Sequence, residues 1–241
     1  MTVFGKIVVV AAMAGFVAGA FETAAHHFGT AAIIAKAEIF EKAAGETQGA
    51  TGTPSIAASN SMAAMSHDAD AMAWEPKEGF QRTALTVLAD ILKDIGFALL
   101  LATAYALHGR EVDWRKGLYW GLAGFATFTL APGLGLPPEI PGTASAPLLD
   151  RQIWWVATAI ATGAGLGLLF LTQRAAWALA GVALLVLPHV FGAPQPAEYR
   201  SAAPESLTHQ FVAAAVITSL LFWVVLGSLS GFLYKRIQAT A

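Results

Sequence analysis

Residues 3–27 read VFGKIVVVAAMAGFVAGAFETAAHH. Apart from Lys6 the stretch carries no charge until Glu22, and His26 and His27 follow shortly after. A membrane span needs an apolar run of this kind, about 20 residues at about 1.5 Å each. The far end is too polar for a plain anchor. An ionisable group inside a spanning helix costs about 2.5–3.5 kcal/mol on insertion scales, so such groups face a protein interior and mark ion paths or pairs. Glu22 and His26 are four residues apart and therefore share one helix face; His27 points about 100° away. A carboxylate and an imidazole so placed share a proton or bind a cation. The rest of the chain reads as the scaffold around that spot.

The 241 residues are 56% hydrophobic and only 12% charged. A soluble domain carries about 25% charged residues, so composition alone places this chain in a membrane, with lipid as its surroundings. The formal net charge of −2 gives no footing for a nucleic-acid partner. There is no cysteine. Disulfides, thiolate metal sites and cysteine nucleophiles are thereby excluded. A metal must be held by His, Asp, Glu, Met or backbone oxygen, which favours harder or borderline divalent ions. No permanently bound cofactor is expected.

Ala18-Gly19-Ala20 offers a small-residue pattern of the kind a signal peptidase cuts. The length of the run, its weak positive end and the Gly15/Gly19 spacing favour a retained first span instead. Further apolar runs at 82–107, 117–130, 153–171, 175–187 and 207–234 bring the expected count to about six. The fold class is therefore an all-α integral membrane protein, a single polytopic domain over residues 1–241. Between the first two runs, residues 29–82 read as a long extracytoplasmic loop, partly flexible where Gly, Thr, Ser and Ala dominate 46–60. Within it, residues 37–41 look like an amphipathic helical end, with Glu38 and Glu41 on one side. His67 and Asp68 lie in a Met-, His- and Asp-containing cluster, either a solvated linker or an external metal-capture segment.

Basic residues set the orientation. Lys6, then Arg110, Arg115 and Lys116, then Arg174, then Lys235 and Arg236 fall on one side of a six-span chain. By the positive-inside rule that side, with both termini, is cytoplasmic. The second run carries Asp90, Lys93 and Asp94. They are read either as a structural ion pair between helices, with Lys93 neutralising one carboxylate, or as part of an ion path. Two outer ends, at 131–142 and 188–196, both place proline at a helix end and run through glycine to further prolines. Proline frees a carbonyl one turn back, which can meet a cation where it lines a cavity.

Several blocks are distinctive: Ala37-Glu38-Ile39-Phe40-Glu41, Trp74-Glu75-Pro76 through Arg82-Thr83, and Gly96-Phe97-Ala98-Leu99-Leu100. Gly121-Leu122-Ala123-Gly124-Phe125 leads to Leu130-Ala131-Pro132 and Gly135-Leu136-Pro137-Pro138-Glu139. Arg151-Gln152-Ile153-Trp154-Trp155, Leu187-Pro188-His189, Gly192-Ala193-Pro194-Gln195-Pro196, Phe222-Trp223 and Gly231-Phe232-Leu233-Tyr234 follow in order. On these blocks the chain resembles the CbtA family of predicted cobalt transporter subunits. The resemblance implies uptake of Co²⁺ across the bacterial inner membrane, usually tied to cobalamin synthesis. It also implies a small single-span, His-containing CbtB-type partner. The family often has a His-rich first loop; here the loop offers His67. The resemblance assigns nothing to Asp90, Lys93 and Asp94.

A divalent-cation permease is the leading reading, with Glu22, His26, Glu38, Glu41 and His189 as metal ligands toward the outer side and Asp90 and Asp94 along the path. Cobalt and nickel accept the same ligands, so nickel or another divalent ion is an alternative cargo. The chain lacks a phosphate-binding Gly-x-x-x-x-Gly-Lys-Ser/Thr motif and the His-Glu-x-x-His helix of metal hydrolases, so no enzyme activity is expected. A non-transporting membrane scaffold is the remaining alternative, since small-residue packing faces suit it equally well.

Overall fold

The computed structural model describes residues 2–50, 79–172 and 174–239. Among them the chain is built from helices, with one isolated bridge between Thr143 and Ser201. The protein is an all-α membrane protein.

Helix α1 spans Val3–Gly29. Thr2 caps its start by accepting the Gly5 N–H. Thr30, buried, closes it by donating its N–H to the His26 carbonyl, and Thr30 then accepts from Ile33 and Ile34 as helix α2, Ala31–Ala50, begins. Residues 31–50 are thus helical where the sequence suggested a loop with one helical end. The remainder of that loop, with His67 and Asp68, lies outside the described residues. Helix α3, Phe80–His108, ends on Gly109, whose φ of +67° is the left-handed cap that glycine supplies without strain.

Helix α4, Trp114–Phe125, starts on Asp113, whose carboxylate accepts the Arg115 and Lys116 N–H groups. The sequence placed its end at Pro132, but the rod does not stop there. A π-helical turn, Ala126–Leu130, carries it into α5, Ala131–Gly135. Pro132 has no N–H and its ring crowds the carbonyl one turn back. The widened turn, in which Ala131 N–H reaches the Ala126 carbonyl, absorbs that mismatch. Helix α6 is Leu148–Leu171. Helix α7, Ala175–Phe191, likewise runs past Pro188 before Gly192 turns the chain at φ +79°. Helix α8, Glu205–Ala239, is the longest at 35 residues.

Helices α1, α6 and α8 are long and apolar enough to cross a membrane, and α7 is a shorter apolar helix. Helix α3 has the length, but Asp90, Lys93 and Asp94 interrupt its apolar run. Large side chains such as Phe170, Leu179 and Val190 stand more than 70% exposed, which suits lipid and not water.

Glycine sets the packing. A Cβ on Gly121 would lie 2.3 Å from the Trp223 carbonyl oxygen and 2.9 Å from Gly227 Cα, so α4 and α8 touch backbone to backbone. Gly165 and Gly181 do the same for α6 and α7: a Cβ on either would meet the other's carbonyl oxygen at 2.7 Å. Helix α8 is the central column. Its Phe222, Trp223, Leu226 and Tyr234 are buried with Val10 and Ala14 of α1 and Ala98 and Tyr105 of α3. A second, smaller core of Ala37, Ile140, Ala203 and Leu207 ties α2 to the segment that follows α5, the approach to α8 and the first turn of α8.

Candidate functional site

The site follows from how closely α1 approaches α3. A Cβ on Gly15 would lie 2.5 Å from Ile95 Cα, and one on Gly19 would lie 3.0 Å from both Ile91 Cα and the Asp94 carboxylate. Only glycine permits that approach. One turn beyond Gly19, Glu22 is delivered into the seam, 6% exposed. Lys93 donates from Nζ to Glu22 Oε2 at 2.7 Å. The same ammonium lies 3.6 Å from Asp90 Oδ1 and 3.7 Å from Asp94 Oδ1. Asp94 is fully buried at 0% exposure, and neither of its oxygens has a hydrogen-bond partner. It sits fourteen residues from either end of α3, about 21 Å from each.

Glu22 and His26 do share a face. His26 Nε2 stands 3.5 Å from Glu22 Oε1, while its Nδ1 meets the Thr30 hydroxyl at 2.9 Å. His27 is exposed and packs edge-on against Phe28. With His26 neutral, three carboxylates against one ammonium leave a formal charge of −2 in this seam. Uncompensated charge in a low-dielectric setting is costly. The arrangement therefore attracts a cation or a proton.

The other expected ligands lie apart. Glu38 is paired with Arg82 at 3.2 Å. Glu41 lies beside Gly142, and His189 stands with its ring 6.0 Å from that of Trp154. Among the described residues no three His, Asp or Glu side chains form a group ready to hold a metal ion. The carboxylates of the seam gather round Lys93.

The link from Lys93 to Glu22 bridges 71 positions of sequence. Spacing within one helix shows only Asp90 and Asp94 as neighbours of Lys93, so its nearest partner was not legible there. A second feature also emerges only in three dimensions. The Pro132 and Glu139 blocks and the Arg151 to Trp155 block line a common cavity of about 400 Å³. Its charges are internally matched, since Glu139 accepts from Ser145 and lies 3.5 Å from Arg151.

The chain is thus an all-α membrane protein with a charged cluster held between helices. A family model described as "Probable cobalt transporter subunit (CbtA)" matches residues 4–235. The chain belongs to that family, whose description as a subunit implies a partner component. No curated protein and no solved structure matches the chain.

Proposed function

We propose that this chain is the main membrane subunit through which Co²⁺ enters the cell across the bacterial inner membrane, working with a small single-span, His-containing CbtB-type subunit. The observation that carries the reading is the buried seam in which Glu22, Asp90 and Asp94 surround Lys93 near the middle of α3. Co²⁺ takes carboxylate and imidazole ligands, and this seam supplies both through Glu22 and His26. Six spans with both termini cytoplasmic put Glu22 and His26 on the outer part of the path. Glu38, Glu41 and His189 then belong to the outer rim, His67 and Asp68 to external capture, and Asp90 and Asp94 to the ion path at the level of Glu22.

Uptake of radiolabelled Co²⁺ tests this in cells expressing the chain alone and with the small partner, with Ni²⁺ as competitor. Accumulation above cells lacking the chain, lost in Glu22→Gln, is the expected result. Equal competition by Ni²⁺ would broaden the cargo to both ions. No accumulation under either condition, with the chain abundant in the membrane, would leave it a scaffold.

A further inference from the structure

Lys93 occupies a special point. Its Nζ lies within 4 Å of all three carboxylates of the seam. A cation that is to bind Glu22, Asp90 and Asp94 together must take that point. A lysine serving only to neutralise buried acids would leave each of them hydrogen-bonded, because a buried carboxylate without a donor is costly. Yet Asp94, wholly buried, has no hydrogen-bond partner on either oxygen, and Lys93 Nζ is 3.7 Å away. The seam holds more carboxylate than one ammonium satisfies. The three carboxylates carry a formal −3, which a divalent cation at that point balances together with an ammonium kept close by.

The lysine also has somewhere to go. Its side chain is 42% exposed, whereas those of Glu22 and Asp94 are 7% and 0% exposed. Its Nζ already stands 5.8 Å from the centre of the Phe222 ring, a face that attracts an ammonium. The four-carbon stem is flexible, and the acids are held by the glycine-tight contact of α1 with α3.

We infer that Lys93 is a tethered stand-in for the cargo: its ammonium fills the point shared by Glu22, Asp90 and Asp94, and a divalent cation binds there by displacing it. The ion draws the carboxylate oxygens in to about 2.0–2.6 Å, and the ammonium swings toward the Phe222 face. When the ion leaves, the lysine returns and the empty seam is never left without a positive charge. This mechanism rests on the reading of the chain as a cation carrier and adds to it the element that makes binding reversible.

The test is Co²⁺ binding to the purified full-length chain in detergent, titrated as the chloride by calorimetry. Lys93→Gln removes the competing charge, and its apparent Kd for Co²⁺ should fall at least about tenfold below the parent's. Lys93→Arg keeps the charge and grips carboxylates with a planar fork, so Co²⁺ should bind more weakly than to the parent. In Lys93→Gln/Asp94→Asn the gain should disappear. Unchanged affinity in Lys93→Gln and Lys93→Arg overturns the inference, as does tight binding that survives Asp94→Asn. Should Lys93→Gln fail to fold, Lys93→Arg decides alone: affinity equal to the parent's overturns the inference. Uptake separates the two levels. Parent uptake with Lys93 variants that bind Co²⁺ unchanged refutes the stand-in and spares the carrier. Binding that follows the expected order without uptake by any version, partner included, refutes the carrier and leaves a cation site.

Discussion

Replacing Gly15 by alanine tests whether the contact of α1 with α3 positions the charged seam. The added Cβ would lie 2.5 Å from Ile95 Cα, 2.7 Å from Ile95 N and 2.8 Å from Ile95 Cγ1. Carbon atoms rest at about 3.5–4.0 Å. Two of the three neighbours are backbone and have no rotamer with which to give way. The helices must therefore part by about 1 Å or more at this level. Glu22 lies seven residues on, about 10 Å along the same rigid rod. A shift of that size carried along α1 stretches the 2.7 Å contact from Lys93 to Glu22 beyond about 3.5 Å, where it is no longer a hydrogen bond. Overpacking of this kind costs about 1–3 kcal/mol. Gly96→Ala is the matched control, since nothing lies within 4 Å of its Cβ position. Thermal unfolding in detergent, followed by size-exclusion chromatography, reads stability, and Co²⁺ uptake reads the seam. Gly15→Ala should lose both while Gly96→Ala keeps both. A Gly15→Ala protein as stable and active as the parent would refute the idea that backbone contact sets the seam.

In the seam itself, Glu22→Gln and His26→Gln should each reduce Co²⁺ uptake severalfold at near-normal membrane abundance, with His27→Gln much milder; normal transport by the first two would move the site elsewhere, toward His189. Reporter fusions after residue 60 and at the C-terminus should report opposite sides of the membrane, and a shared side would revise the six-span topology. At the start of α4, the backbone N–H groups of Lys116 and Arg115 hold the Asp113 carboxyl below its usual range. A lowered folded pKa adds stability above the unfolded value of about 3.9 and loses it as pH falls through the folded one. The melting difference between the parent and Asp113→Ala should therefore be full at neutral pH and shrink in strong acid; a difference independent of pH would refute that role for the charge.

Much of the helical layout was legible in the sequence because lipid imposes a simple rule of apolar length on each run. Gly117 with Gly121 and Gly227 with Gly231 carry the four-residue spacing of packing faces, but only the fold shows that they face each other. The two proline ends misled for a physical reason. Proline forbids one hydrogen bond one turn back but leaves its own carbonyl free to accept, so a helix can run a further turn past it. Gly192 N–H bonds to the Pro188 carbonyl in just this way. The π-helical turn before Pro132 is a second way round the same obstacle, and no periodicity in the sequence announces it. Helix α2 escaped because its alanines, lysines and glutamates form a helix without forming an apolar run.

The seam was half legible for a different reason. Within one helix, spacing of three or four residues fixes which side chains meet, so Glu22 with His26, and Asp90 with both Lys93 and Asp94, followed directly. Which helix lies against which is decided by shape, here by the missing Cβ atoms of Gly15 and Gly19. The same two glycines explain why the acids tolerate their place. Close backbone approach keeps acyl chains away from Glu22 and Asp94, and a lysine on the facing helix supplies the first countercharge. A bulkier contact would admit lipid beside carboxyl groups at the middle of α3, a far more costly arrangement than the present one. Small residues and charges therefore depend on one another: without the glycines the acids lose their shelter, and without a cation the acids press the helices apart. On that logic, variants that weaken the glycine contact should depend more strongly on Lys93 for their stability than the parent does.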